Sequence, residues 1–376
     1  MKVLHLISGG DTGGAKTHVL TLLSNLRNIG VEAELLCIME GVFTREAEEM
    51  GIPVKIIPQK RRYDITVSKK IIEYIKESGC DLIHCHGARA NYIALFLRMK
   101  IKQPMITTLH SDYKLDFKDS KYKQLVFASI NAFALRRFEH ILSVTQAFKD
   151  MLCERGFDGD KIKVIYNGID CSKEPEFIER ADFLKKYGIE YDEKKKYVGI
   201  AARFFAVKGV IYFLEAAKKI CGEKDDIIFV IAGSGDLENE YREFIKKNSL
   251  ENRVFMIGHI KDINSFYNAI DVNTLTSLSE SFPYALLEGA IMGKATVAAA
   301  VGGIVEMIDD GRTGFLFKKA DVNELSEKIC ALTDDDELRE RLGKNFREKV
   351  KKDFSAETMA KTHKRIYEEL LGKKGV

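Results

Sequence analysis

The segment Glu280-Ser-Phe-Pro-Tyr-Ala-Leu-Leu-Glu288 sets two carboxylates in one short stretch, the first in a loop and the second inside a nearly apolar helical run. A helix is expected to open near Pro283, a residue favoured in a first turn. Carboxylates so placed are suited to holding the hydroxyls of a polyol, while the amides of Tyr284 and Ala285, free at a helix start, can face a phosphate. Two ordinary surface glutamates are the alternative, and Ala285-Leu-Leu-Glu-Gly-Ala-Ile weighs against it, because an unpaired carboxylate in such a run is costly. Upstream, Ala202-Arg203-Phe-Phe-Ala-Val-Lys208-Gly209 puts a guanidinium and an ammonium five positions apart, where a strand gives way to a helix. A rigid fork and a point charge there suit a diphosphate; a solvated basic loop is the competing reading.

Two further sets belong to the first half. Gly9-Gly10-Asp11-Thr12-Gly13-Gly14 runs from a strand straight into a helix, so its amides either approach an anion or simply make a tight turn. Its spacing is neither the dinucleotide G-x-G-x-x-G nor the P-loop pattern. His86 and His110 each close a strand-like run, where an imidazole binds a hydroxyl, handles a proton or makes a structural hydrogen bond. His84-Cys85-His86 raises a metal site, but with no carboxylate or thiol expected on the face shared by His84 and His86, none is predicted. Gly302-Gly303-Ile-Val-Glu306 repeats the pattern of a glycine turn before a short helix, with a purely structural turn as the alternative.

These residues need strands and helices to position them. Strand-like runs at 2–8, 33–38, 54–57, 81–84, 104–110, 140–144 and 163–166 alternate with helical periodicity, and a second series follows at 197–202, 227–232, 254–257, 271–275, 295–298 and 315–317. Two such series predict two doubly wound α/β domains, 1–170 and 171–354, with the turn Asn167-Gly168 at the junction. Ligands of such folds bind beyond the strand C-termini, so a cleft faced by both halves is expected.

The 376 residues carry a net charge of +3, with 45% hydrophobic and 31% charged, which excludes a disordered chain. The balance is uneven: +5 over residues 1–170 and −2 over the remainder, too mild for a nucleic-acid stripe, so no nucleic-acid partner is expected. Seven scattered cysteines without a C-x-x-C pair suggest a reducing, cytoplasmic compartment. The apolar run 3–7 is too short for a secretory leader, and no run is long enough for a membrane-spanning helix. The cluster Lys60-Arg61-Arg62, Lys100 with Lys102, and Lys114, Lys118, Lys121 and Lys123 interleaved with Tyr113, Phe117 and Tyr122 either dock on an anionic membrane or form a solvated face.

Taken in order, these motifs resemble the retaining glycosyltransferases of family 4. The resemblance rests on Gly13-Gly14, His86, His110, Val164-Ile-Tyr-Asn-Gly-Ile-Asp170, Arg203 with Lys208, Glu280-x7-Glu288, Gly302-Gly303-Ile-Val-Glu306 and Asp310-Gly-Arg-Thr-Gly-Phe-Leu316. It spans essentially the whole chain. Two departures are Lys16, where many members carry Glu, and Ser281-Phe282-Pro283, where Gly-x-Gly is common. The resemblance implies a GT-B fold, two Rossmann-like domains around a central cleft, with a final helix, 355–372, returning to the first domain. It implies a nucleotide-diphosphate sugar on the second domain: Arg203 and Lys208 on the diphosphate, Glu288 on the ribose, Ile260 near the base and Glu280 on the sugar. Gly14, Phe282, Tyr284 and Ala285 join that donor-binding set. A saccharide or lipid-linked acceptor falls to the first domain, with His110 and His86 lining the reaction centre.

Breaking a sugar–phosphate bond leaves negative charge on the diphosphate, which two cations and helix amides can meet. With no D-x-D motif in a suitable loop, neither metal nor cofactor is expected. Front-face attack, the leaving phosphate taking the acceptor proton, is the preferred retaining route; Glu280 is the nearest nucleophile for a double displacement. A nucleotide-sugar epimerase of similar shape and a non-catalytic binding module are the alternative functions.

Overall fold

The computed structural model describes residues 1–10, 13–59, 64–114 and 121–372, side chains at 121–125 excepted. It divides into two compact units, Met1–Asp170 with Ala356–Val376, and Cys171–Ser355.

The first unit holds seven parallel strands: β1 (Lys2–Ile7), β2 (Glu32–Cys37), β3 (Val54–Ile56), β4 (Leu82–His86), β5 (Met105–Leu109), β6 (His140–Ser143) and β7 (Ile162–Val164). Their order is β3-β2-β1-β4-β5-β6-β7. Alternation along β1 divides its side chains between two cores. Leu4 and Leu6 join Ile71, Ile75 and Ile93 from helices Val67–Ser78 and Gly87–Leu97. Val3 and Ile7 join Val19, Leu22 and Leu26 of helix Gly14–Asn28 and Met359, Ala360 and Tyr367 of helix Ala356–Leu370. His5 lies between Val3 and Ile7 in sequence, so it faces the second of these cores. Register continues that face across the sheet, with His5 opposite His84 and His86 opposite Thr108.

The second unit repeats the plan with β8 (Lys196–Ala201), β9 (Ile227–Ala232), β10 (Val254–Gly258), β11 (Val272–Leu275), β12 (Ala295–Ala299) and β13 (Phe315–Phe317), in the order β10-β9-β8-β11-β12-β13. Ile227-Ile-Phe-Val-Ile-Ala232 is buried throughout, as a parallel strand covered on both faces must be. In each sheet the order reverses at the first strand, between β1 and β4 and between β8 and β11. That is the switch point where open α/β sheets leave a crevice beyond their strand ends.

The two series of strands expected from sequence are therefore present. Among the described residues no helix is long and apolar enough to cross a membrane. Asp11, Thr12, Lys60, Arg61, Arg62, Phe117 and Lys118 lie outside the described residues, and the side chains of Lys121, Tyr122 and Lys123 are likewise not described. One part of the basic–aromatic reading is corrected: Tyr113 is buried, edge-on to Phe157 and beneath the Arg155 guanidinium, because that ring completes a small core beside β5.

Candidate active site

In the second unit three turns meet at one residue, Glu280. After β8 the chain passes Arg203 and a short 3-10 turn, Ala206–Lys208, before helix Val210–Cys221 begins. Gly209 at that junction has φ +60°, and a Cβ there would lie 2.2 Å from the Thr276 carbonyl oxygen, so only glycine lets the loops after β8 and β11 touch. Thr276 Oγ1 donates to the Gly209 carbonyl at 2.9 Å, and the Leu278 amide to the Val207 carbonyl at 2.8 Å. Lys208 Nζ is thereby held 2.5 Å from Glu280 Oε1, which also accepts from Ser277 Oγ at 2.6 Å. Gly302, after β12, approaches from another side: at φ +51° its Cβ would stand 1.9 Å from the Glu280 carbonyl oxygen. The Glu280 side chain is only 8% exposed, so its ion pair with Lys208 is shielded from water. Arg203 is exposed, its guanidinium over the Phe205 ring at 5.4 Å.

Helix Tyr284–Ile291 starts from Pro283 in extended conformation, and its first internal bond runs from the Leu286 amide to the Pro283 carbonyl at 3.2 Å. The amides of Tyr284 and Ala285 thus have no acceptor within the helix. One turn on, Glu288 faces two phenols. Tyr267 Oη lies 3.4 Å from Glu288 Oε2 and 2.9 Å from the Ala285 carbonyl oxygen, while the buried Tyr284 hydroxyl has no partner among the described residues. Burial pushes the Glu288 carboxyl up to about 7, the Tyr267 bond acting in the opposite direction. A carboxyl short of donors beside an unpaired phenol suits a ligand that carries hydroxyls.

The first unit offers different chemistry. His86 is the last residue of β4 and His110 follows β5, and the two join a group of buried imidazoles. His5 Nδ1 lies 3.0 Å from His86 Nε2, and His86 Nδ1 lies 3.3 Å from His110 Nε2. His84 bridges Tyr367 Oη and Thr108 Oγ1 at 2.7 Å each; His18 Nδ1 sits 2.9 Å from Asn167 Oδ1; His363 Nδ1 donates to the Met359 carbonyl at 2.8 Å. Burial drives these bases down, His5 and His363 to about 3 and His18 to about 4, with His84, His86 and His110 also well below the ordinary range. All six are uncharged at neutral pH. Gly14 opens helix Gly14–Asn28 from Gly13, whose φ is +71°.

A family model described as "Glycosyl transferases group 1" matches residues 184–349, and one described as "Glycosyltransferase Family 4" matches residues 12–173. The chain belongs to the group 1 glycosyltransferases. An uncharacterised glycosyltransferase of Methanocaldococcus jannaschii is 29% identical over 367 residues, 95% of each chain. The UDP-Gal:alpha-D-GlcNAc-diphosphoundecaprenol alpha-1,3-galactosyltransferase of Escherichia coli is 26% identical over 291 residues, 76% of this chain and 74% of that one. Among solved structures, Anabaena Alr3699/HepE in complex with UDP and glucose superposes with a TM-score of 0.85 at 22% identity, covering 98% of this chain and 100% of that one. The fold is GT-B.

Within this glycosyltransferase the structure brings Lys208 and Glu280 into contact and sets Tyr284, Ala285 and Glu288 on one short helix. Phe282 turns its ring inward, edge-on to Phe354 at 5.2 Å. Ile260 is half-buried against the core that includes Tyr267 and Phe266. The groups that join His84 and His86 among the described residues are imidazoles, not carboxylates or thiols. His5 stands next to both because β1 pairs with β4 in that register, and His18 and His110 stand next to His86. His5, His18 and His363 were not singled out from sequence. The signal was available in the switch-point order, which sets the first strand beside the fourth and His5 across from His84. The Gly233-Ser-Gly235 turn was also passed over, although Ser234 accepts the Phe204 amide at 2.8 Å and so fixes the loop carrying Arg203.

Proposed function

We propose that this glycosyltransferase moves a sugar from a nucleotide-diphosphate donor to a saccharide or lipid-linked acceptor in cell-surface polysaccharide or glycolipid synthesis, with retention and without a metal ion. The observations that carry the reading are the contact of Lys208 with Glu280 between the loops after β8 and β11, and the helix opening at Tyr284 with the amides of Tyr284 and Ala285 unpaired. In this reading Arg203, Lys208 and those amides take the diphosphate, Glu288 the ribose hydroxyls, Ile260 the base and Glu280 a hydroxyl of the sugar. Gly14, His86 and His110 of the first unit serve the reacting sugar and the acceptor. The Escherichia coli relative, with its nucleotide-sugar donor and lipid-diphosphate acceptor, and the Anabaena complex with UDP and glucose support this choice of substrates.

The residues bear on mechanism. Glu280 Oε1 is already occupied by Lys208 and Ser277, which favours a positioning part over attack on the anomeric carbon. His86 and His110 are neutral imidazoles, so neither delivers a proton as a cationic acid at neutral pH. The acceptor oxygen therefore bonds to the anomeric carbon on the face from which the phosphate leaves, and its proton passes to the departing phosphate oxygen. Cations and amides meet that oxygen's charge without Mg2+, which prefers oxygen ligands; among the described residues the sets able to hold a metal are imidazoles of the first unit.

Arg203→Ala and Lys208→Ala should each lower kcat/KM by roughly 2–4 kcal/mol of transition-state stabilisation while melting remains cooperative. Turnover of UDP-, GDP- and ADP-sugars in excess chelator, with the product anomer read by NMR, checks donor, metal and stereochemistry together; wild-type rates in either variant, or an inverted product, overturn the reading. We further propose a cytoplasmic location, with peripheral docking of the first unit on anionic lipid. Met99, 75% exposed beside Lys100 and Lys102, supports the docking. Equal sedimentation with neutral and anionic vesicles would exclude it.

A further inference from the structure

Among the described residues two sets of three imidazoles hold ring nitrogens within 4.8 Å of one another: His5, His84 and His86, and His18, His86 and His110. The first set is sealed, and both nitrogens of His84 are engaged at 2.7 Å. The second differs in three respects. His110 is partly exposed, which gives an ion a way in. His18 is fully buried, and its Nδ1 faces the Asn167 carbonyl oxygen, so Nδ1 carries the proton and Nε2 keeps its lone pair; that Nε2 has no hydrogen-bond partner. His86 Nδ1 and His110 Nε2 already stand 3.3 Å apart, close to the about 3.3 Å that Zn–N bonds of about 2.0–2.1 Å impose across a tetrahedron.

We propose that His18, His86 and His110 form a binding site for one Zn2+ ion, with the fourth position open on the exposed side of His110, and that its occupation inhibits the enzyme. The surroundings are those of a ligand set. Metal-bound histidines present one nitrogen to the ion and anchor the other on an acceptor, which fixes tautomer and orientation. Asn167 Oδ1 anchors His18 in this way, and His5 Nδ1, 3.0 Å from His86 Nε2, anchors His86. In the ligating state His86 donates from Nε2 to His5, and the His110 proton resides on Nδ1. Three neutral imidazoles with an open fourth position suit a borderline ion such as Zn2+ better than Mg2+ or Ca2+. Binding takes His86 and His110 away from the sugar and acceptor; this inhibition rests on the transferase reading, whereas the binding does not.

The test uses the full chain stripped of metal and titrated with Co2+, whose tetrahedral complexes absorb visibly. We expect bands that saturate at one equivalent and are bleached by Zn2+. His18→Gln and His110→Gln should each weaken Co2+ binding at least tenfold, while His140→Gln, outside the set, changes nothing. Zn2+ should lower wild-type turnover, and His18→Gln should shift that inhibition to at least tenfold higher Zn2+. Should His18→Gln fail to fold, the half-buried His110→Gln carries the binding test alone. Absence of the bands in wild type, or bands unchanged in the variants, overturns the site. Bands without loss of turnover overturn the inhibition and argue against His86 and His110 in transfer, leaving donor binding on the second unit untouched.

Discussion

On either side of their first strands the two sheets share one order, β3-β2-β1-β4-β5-β6 and β10-β9-β8-β11-β12-β13, and both gather candidate chemistry around the first strand and its new neighbour. What stands there differs completely. The first unit gathers six imidazoles, five buried and His110 partly exposed, with no carboxylate among their hydrogen-bond partners in the described residues. The second holds a shielded Lys208–Glu280 pair and, on the helix that follows, a carboxyl, Glu288, that burial has raised. Backbone order therefore decides where a site forms, and the side chains allowed into the crevice decide what it does. Because bases kept neutral and an acid kept neutral respond oppositely to protons, the two units should part company as pH changes.

Acid should produce the largest effect. The folded pKa values of His5, His18, His84, His86, His110 and His363 all lie below the ordinary 6.5, so above that value both folded and unfolded chains leave these groups neutral. As pH falls from 6.5 toward 3–4 the unfolded chain takes up protons that the folded unit refuses, and stability is lost across that window. At pH 5 His5, His18 and His363 each cost about 2 kcal/mol, a sum already comparable with the whole stability of a domain, and His84, His86 and His110 act in the same direction. Hydrogen exchange followed by mass spectrometry from pH 8 to 5 should show protection vanishing from β1, β4 and β5 well before β8, β9 and β11. Equal loss in both units would break the contrast.

Much of this was legible in the sequence. The parallel strands announced themselves as short β-branched runs, and the candidate residues of the second unit sat where a strand passes into a helix, so local pattern sufficed to single out Arg203, Lys208, Glu280 and Glu288 as candidates. What local pattern does not carry is pairing across the sheet. His5 lies in the middle of an apolar strand, 79 positions before His84, and becomes its neighbour only through the β1–β4 register. The same holds for Gly302, whose need for glycine comes from a carbonyl of Glu280, a residue in a different loop. The inward turn of Tyr113 and Phe282 was equally hidden, since an aromatic beside charges reads the same from sequence whether its ring faces water or core.

A smaller effect of opposite sign belongs to the second unit. Glu288 rises from 4.5 to about 7 on folding, so its contribution is present in full below 4.5 and lost as pH rises through 7. Above that the ionised buried carboxyl costs about 3 kcal/mol, and Glu288→Gln should melt higher than wild type at pH 8 and the same at pH 4. Ribose hydroxyls donating to the carboxylate would stabilise its charged form, so nucleotide binding at pH 7 should release about half a proton. Calorimetric titration in buffers of different ionisation enthalpy measures that release directly. No release, or release undiminished in Glu288→Gln, would remove Glu288 from the ribose.

The smallest expected effect comes from a pair that looks alike in both units. Lys16 Nζ meets Glu46 at 2.5 Å in the first, as Lys208 meets Glu280 at 2.5 Å in the second. The resemblance stops at exposure: Glu46 is 36% exposed and Glu280 is 8%. Water and salt screen the first pair, so a double-mutant cycle with Lys16→Ala and Glu46→Ala should give a coupling of under about 1 kcal/mol, fading in high salt. Removing Lys208 instead strands a shielded carboxylate, a change of a larger order. A coupling at Lys16 that survives high salt would erase the distinction. Loss of turnover in Lys16→Ala at unchanged stability would instead give this lysine, which stands where many members of the family carry glutamate, a part in holding an anionic acceptor.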